Sequence, residues 1–413
     1  MSVINVMMSQ QFNFRLFLVL LLPLSTVQST ELTGRFSMLG STAQAEQGDI
    51  GFVDADHDTL TADQQSLRLM LDDIQDNGEW AVHLKILRQH LNNLTAAESH
   101  PSDLFRYRDL STDWLDEDGV NSSTRIGYEV DRAAYKQRFD KLTLGIGRQP
   151  IDWGSGRLWQ PLNVFGAFAP TDLDTDFKAG IDAAVIDWYP SDFSSLTAVY
   201  AFAPSDKTEI ENSTAVYYRR QIAGQVEMSL LAGQVIGNTV MGVSLEGDWK
   251  GVGWRIEGAH NKLDQLNENT FFWIAGLDYQ FENTILLAVE WYNHNGGASS
   301  ETELTSLTIN QQLEYGLQQY LGSRVLGISA SKELTPLWHG SYTALVSVLD
   351  DVEDQLTTSL LHQFTATYSV SNESDLLFSL LYGNGKKLNL SGMPQSEFGH
   401  IPTSMTVRLR FYF

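Results

Sequence analysis

Residues 271–293 read FFWIAGLDYQFENTILLAVEWYN. Phe271, Trp273, Ala275, Leu277, Tyr279 and Phe281 recur at every second position, with Gly276, Asp278 and Gln280 between them. After Glu282-Asn283-Thr284 the alternation resumes. Ile285, Leu287, Val289 and Trp291 share one face, and Ala288, Glu290 and Tyr292 share the other. A period of two is that of a β-strand, and the short polar break between the runs is a hairpin turn. Soluble sheets usually use strands of about five or six residues. Runs of about ten match what a tilted strand needs to cross a bilayer.

The same pattern fills the chain from Glu31 onward. Eighteen runs are expected near 31–40, 63–73, 78–88, 124–137, 140–148, 180–189, 194–203, 214–223, 225–234, 238–249, 252–261, 270–281, 284–293, 322–331, 337–349, 357–370, 373–383 and 403–413. Their connections sort by parity. The odd ones are mostly long (41–62, 89–123, 149–179, 204–213, 262–269, 294–321, 384–402), although 235–237 and 350–356 are short. The even ones are short, such as Arg138-Phe139, Lys250-Gly251 and Ser371-Asn372. Short turns at one end and long loops at the other are the asymmetry of an outer-membrane barrel. A soluble β-sandwich would not sort its loops in this way. The expectation is an all-β, antiparallel, up-and-down transmembrane barrel of about 18 strands, with 16 as the alternative, both termini on the periplasmic side and the third loop folded inward.

Charge and composition narrow the function. With 27 Lys+Arg against 51 Asp+Glu the net charge is −24, a poor match for nucleic acid. The absence of cysteine excludes thiol catalysis, Cys-ligated zinc and disulfides. Residues 1–29 have the layout of a secretory signal peptide: an uncharged start, Arg15, an apolar run from Leu16 to Leu24, and Val27-Gln28-Ser29 before a cleavage site at Thr30. The mature domain is then 30–413. No later apolar run is long enough for a helical span.

At the other end, Met405, Val407, Leu409, Phe411 and Phe413 alternate with Thr406, Arg408, Arg410 and Tyr412. This resembles the terminal strand of Gram-negative outer-membrane proteins. The resemblance implies that Phe411 and Phe413 form the signal read by the barrel assembly machinery. Trp188, Trp249, Trp291, Tyr292, Tyr368 and Tyr382 sit at strand ends and suit the interfacial girdles. On the polar faces, Lys85, Asp187, Arg219, Glu227, Arg255, Glu257, Asp278, Glu290, Arg408 and Arg410 point to a charged lumen, either water-filled or plugged by loops. The excess acid falls in loops: Asp49, Asp54, Asp56 and Asp58; Asp113, Asp116, Glu117 and Asp118; Asp172, Asp174 and Asp176. It reads as a solvated rim, as a divalent-cation bridge to lipopolysaccharide, or as an entrance favouring cations.

The third loop has a composition of its own. Residues 145–180 read GIGRQPIDWGSGRLWQPLNVFGAFAPTDLDTDFKAG. Trp153, Trp159, Phe165 and Phe168 are too apolar for a free external loop. General porins fold this loop into the pore, and the composition fits that role. The expected constriction uses Arg148, Trp153, Arg157 and Trp159, with both arginines opposite Asp172, Asp174 or Asp176. A second reading is that the loop simply locks against the wall, with the arginines paired to acids. Strict alternation places Arg148 beside Leu142, Leu144 and Ile146, so it needs a bulge or the strand's end. Gly147, Arg148, Gln149, Ile151, Trp153, Gly154, Gly156, Arg157, Trp159 and Pro161 match G-R-Q-x-I-x-W-G-x-G-R-x-W-x-P. This motif, with the strand pair from Arg125 to Gly147, resembles a family of porin-like proteobacterial outer-membrane barrels. That resemblance implies passage of small molecules or lipids, sometimes in company with an inner-membrane exporter. The chain departs from the family at Gln160-Pro161-Leu162-Asn163, where an Asn before the Pro and an Asp after it are expected.

No zincin, nucleophile-elbow or P-loop motif is present, and the nine histidines show no metal spacing. Ser244, His260 and His362 fall on apolar faces but read as interfacial rather than catalytic. No enzyme, metal or cofactor is expected. Two function classes remain: a channel for small solutes or lipophilic molecules, and a structural or adhesive barrel whose acidic loops bind a partner or lipopolysaccharide.

Overall fold

The computed structural model describes residues 30–92, 101–107, 124–207, 209–263, 268–307, 311–350 and 355–413. The signal segment and Asp113 to Asp118 lie outside the described residues. Eighteen strands run in order: β1 Glu31–Gln44, β2 Thr59–Ile74, β3 Gly78–Leu91, β4 Thr124–Phe139, β5 Leu142–Gln149, β6 Ile181–Ser191, β7 Ser194–Ala201, β8 Ser213–Ile222, β9 Val226–Val235, β10 Asn238–Trp249, β11 Val252–Leu263, β12 Glu268–Gln280, β13 Leu286–His294, β14 Arg324–Thr335, β15 Trp338–Asp350, β16 Leu356–Ser371, β17 Ser374–Asn384 and β18 Thr403–Tyr412. Each pairs antiparallel with its chain neighbours. β1 also pairs with β18, from Arg35 opposite Tyr412 to Gln44 opposite Thr403, which closes the barrel at eighteen and leaves no edge. Several strands outrun their apolar patterns. β2, for example, starts at Thr59 rather than near 63, because its ladder with β1 continues to the Gln44–Thr59 pair.

The alternation puts apolar side chains outside and polar ones within. On β11, Ile256 is 55% exposed while its neighbours Arg255 and Glu257 are buried. On β13, Leu287, Val289 and Trp291 are partly exposed, whereas Ala288, Glu290 and Tyr292 are buried. Tyr292 therefore leaves the expected girdle. It shares the inner face with Glu290 and packs against Trp159 and Phe272, with ring centroids 5.4 and 4.8 Å away. Among the described residues no helix is long and apolar enough to cross a membrane. The helical pieces sit in the long connections: a 3-10 turn at Pro101–Phe105, α1 at Glu301–Ser306 and α2 at Gln311–Glu314.

The inside is packed as well as polar. Trp153, Leu162, Val164 and Phe165 of the 150–180 connection bury against Ile181, Val199, Ala215, Leu231 and Val240 of the wall. Leu158 and Trp159 bury with Ile274, Tyr292, Val325 and Leu345, further round the barrel. One connection thus contributes side chains to the two largest cores, and its apolar residues explain why it folds inward rather than facing water.

Candidate pore constriction

The glycines of the loop shape its first half. Gly154 has φ +101°, and a Cβ there would lie 2.9 Å from both Gln160 Cβ and Glu257 Oε1. A Cβ at Gly156 would lie 1.6 Å from the Trp159 carbonyl oxygen. Only glycine permits so tight a turn. The turn aims a series of backbone amides at two carboxylates on the wall. Glu257 of β11 accepts from Ser155 N (2.6 Å), Ser155 Oγ (3.0 Å) and Leu162 N (2.7 Å). Glu290 of β13 accepts from Arg157 N (2.6 Å), Leu158 N (2.8 Å) and Trp159 N (3.2 Å). Both carboxylates are 0% exposed. A charge so desolvated persists only when donors satisfy it, and these amides do so. Arg255 adds a contact to Glu290 at 3.4 Å and pairs with Asp278, which Arg157 also reaches at 3.6 Å. Glu257, Glu290 and Arg255 thus line the inner face as the anchors of the loop.

The two tryptophans are anchors too. Trp153 stacks on Tyr217 of β8, with centroids 5.0 Å apart and planes at 8°. Trp159 is edge-on to Tyr292 and Tyr320 and donates from Nε1 to the Tyr320 hydroxyl at 3.1 Å. Lys178 Nζ closes the excursion on itself, 2.7 Å from Asp152 Oδ1 and 2.6 Å from Asn163 Oδ1. Burial lowers the ammonium's pKa, against the pull of Asp152.

Arg148 and Arg157 pair with wall aspartates, and Asp174 and Asp176 with other arginines, contrary to the expected pairing. Arg148 forms a bidentate pair with Asp182 of β6 (2.8 and 2.9 Å) and donates to the Val130 carbonyl at 2.9 Å. Next to it, Gly147 has φ +113°, and a Cβ there would sit 2.1 Å from the Ala133 carbonyl oxygen. Alternation lapses at this point, so Arg148 and Gln149 are both buried, and Arg148 ties the strand end rather than the pore. Arg157 turns to Asp278 instead, leaving its side chain more than half exposed.

The aspartates find other arginines. Asp174 takes a bidentate pair from Arg35 of β1, at 2.7 Å on both oxygens. Asp176 takes Arg35 at 2.8 Å, Arg410 of β18 at 2.6 Å and the Tyr412 hydroxyl at 2.5 Å. Arg408 donates to the Leu173 carbonyl, and Gln363 of β16 donates to the Thr171 carbonyl at 2.9 Å. Phe177 lies against the guanidinium groups of Arg35 and Arg68, 4.8 and 4.3 Å from its ring centroid. Burial alone would raise the Asp174 and Asp176 carboxyls. Hydrogen bonds from Arg35 to Asp174 and from Tyr412 to Asp176, together with Arg410, outweigh burial and hold both below the ordinary carboxylate value. Asp172 accepts from the Ala169 amide at 2.7 Å.

Sequence reading named Arg408 and Arg410 but missed Arg35 and Arg68, the other members of this basic row on adjacent strands. The signal was available, since Arg35 alternates with apolar Phe36 and Leu32 beside the β18 terminus. In the 49–58 cluster Asp49 is buried against Lys387 at 2.9 Å, while Asp54, 2.8 Å from His57, and Asp56 stay exposed as a solvated rim would be. Among the described residues no group of three or more acidic, His or Cys side chains could hold a metal. Ser244 faces inward, 2.8 Å from Ser155 Oγ, while His362 lies outside, stacked on Tyr342 and Tyr382. These residues do not assemble into a catalytic site.

No protein-family model matches the chain, and no curated protein matches it. Solved structures do. OccAB4 of Acinetobacter baumannii aligns with a TM-score of 0.59 at 11% identity, over 94% of this chain and 99% of that one. OccD3 (OpdP) of Pseudomonas aeruginosa gives 0.56 at 10%, over 94% and 92%. OpdK of P. aeruginosa, solved with vanillate, gives 0.54 at 10%, over 93% and 98%. Nearly the whole chain is therefore similar in fold to closed porin barrels of the Occ group.

Proposed function

We propose that this protein is an outer-membrane, porin-like channel for small solutes. The observation that carries the reading is the inward connection of a closed barrel, fixed at one end to β11 and β13 and at the other to β1 and β18. An adhesive or scaffolding barrel has no need of a loop that spans its own interior. A pore needs one to set its width and charge. The fold likeness to porins supports the same reading, as does the band of apolar side chains outside.

In this reading Arg157 and the Asp174–Asp176 tail face the passing solute, and Trp153, Trp159, Glu257 and Glu290 hold the constriction in shape. Asp174 and Asp176 offset part of the basic row, so the lumen is mixed in sign rather than simply cationic. Residues 1–29 act as the export signal, and Phe411 and Phe413 present the terminal strand to the barrel assembly machinery. The Gly147–Pro161 motif allies the chain with the porin-like proteobacterial barrels it resembles, whose members sometimes work with inner-membrane exporters. Reconstitution in planar bilayers tests the proposal: discrete single-channel openings support it, and an electrically silent, correctly folded barrel refutes it.

A further inference from the structure

A cavity of about 490 Å³ lies between residues 166–171 of the inward loop, the β13–β14 connection and residues 397–401. That size suits a small organic ligand. Most of its lining is apolar, including Leu321, Leu345, Leu361, Phe398 and Ile401. Tyr320 and Phe398 meet edge-on there, with centroids 5.8 Å apart. One charged acid enters this lining, Glu397, which is only 9% exposed. Its Oε2 accepts from Gly322 N at 2.6 Å and its Oε1 from Leu321 N at 3.1 Å.

No cation answers it. Among the described residues neither Lys nor Arg lines the cavity. Lys386 is committed to Glu301, Lys387 to Glu46 and Asp49, and Arg324 to Asp350. This is the reverse of the Arg35–Asp174 region, where Asp174 and Asp176 each have an arginine. Two more acceptors share the lining, the side-chain carbonyl of Gln319 and Nδ1 of His400, and both are buried with no hydrogen-bond partner among the described residues. Burial pushes the Glu397 carboxyl up to about 7, against its two amide donors, and holds His400 below its ordinary value and hence neutral. A buried carboxylate without a counter-charge is costly, and a ligand that brings a cation removes the cost.

We infer that this cavity binds a small apolar molecule carrying a protonated amine, its ammonium against Glu397 and its ring or hydrocarbon against Leu345, Leu361 and Phe398. The aromatic faces of Tyr320 and Phe398 add to the preference for a cation. The inference goes beyond solute passage and does not require conduction, since the site can be filled in a barrel that passes nothing.

The test is equilibrium binding to the full refolded chain in detergent micelles at pH 8, by titration calorimetry, with phenethylamine, phenethyl alcohol and phenylacetate as probes. Phenethylamine should bind at least tenfold more tightly than the alcohol, and phenylacetate should not bind. Glu397→Gln should weaken phenethylamine binding at least tenfold. Ile401→Trp, which fills the cavity and leaves Glu397 in place, should abolish binding, and it decides the matter should Glu397→Gln not fold. Phenylacetate binding as tightly as the amine, no binding by any probe, or amine binding undiminished by Ile401→Trp would overturn the inference.

Discussion

Residues 153–162 and 172–178 belong to one connection and lie inside the same barrel, yet they are held by opposite chemistry. At the front, wall carboxylates grip loop amides, and two tryptophans are buried around them. At the tail, wall arginines grip loop carboxylates, and Asp174 and Asp176 keep about a third of their side-chain surface exposed. Backbone amides cannot swing away from a carboxylate without unfolding their turn, whereas side-chain ion pairs whose carboxylates reach solvent are partly screened and exchange more readily. The front is thus a fixed abutment and the tail an adjustable strap, and the width of the pore should respond through the tail.

The largest effects should come from the front. Glu290→Ala strands three amides, two of them buried, and leaves Arg255 with less counter-charge, at a cost of about 3–5 kcal/mol. Urea or heat unfolding followed on gels should show a clear loss, and wild-type stability would mean that the carboxylate does not hold the loop. Leu287→Arg, on the outer face of the same strand, should cost about 2–4 kcal/mol through the lipid contact. It should do so without exposing the loop to protease, which separates damage to the wall from damage to the abutment. Gly156→Ala should cost roughly 1–3 kcal/mol by forcing the Trp159 carbonyl aside. A loss no larger than that of a surface Gly→Ala change would contradict the tight-turn account.

The tail should yield smaller effects. Asp176→Asn removes contacts to Arg35, Arg410 and Tyr412 at about 1 kcal/mol once exposure is allowed for. Barrel stability should hardly change, while trypsin cleavage after Lys178 should quicken. Acid should act likewise. The Asp174 and Asp176 carboxyls sit below their ordinary value of 3.8 when docked, so docking is at full strength above that pH and weakens as pH falls through the depressed value. Channel conductance should therefore shift below about pH 4, more in the wild type than in Asp176→Asn. An identical acid response in the two would place the titrating group elsewhere.

Much of the wall was readable because alternation is local: each strand's two faces are written in its own residues, and turn length announces the partner. The loop's contacts were not readable in the same way. Glu257 and Glu290 look like any lumen acids in the sequence, and nothing local says that they will take backbone amides from a segment about 95 to 135 positions earlier. Opposite charges within one excursion invited the pairing of Arg148 with Asp172 to Asp176. Gly147 breaks the strand's alternation beside Asp182, and the tail reaches β1 and β18, the far ends of the chain. Such pairings follow from closure of the ring, which brings Arg35 beside Tyr412. Tyr292 was misplaced for a simpler reason: its position near a strand end suggested an interface, although its parity with Glu290 already put it inside.

The claim that the loop narrows the lumen from within is tested most directly by single-channel conductance of the intact protein against a variant with residues 155–175 replaced by a short Gly/Ser linker. A larger and less selective pore is expected in the variant. Unchanged conductance, with the intact loop cut by protease from outside, would contradict it.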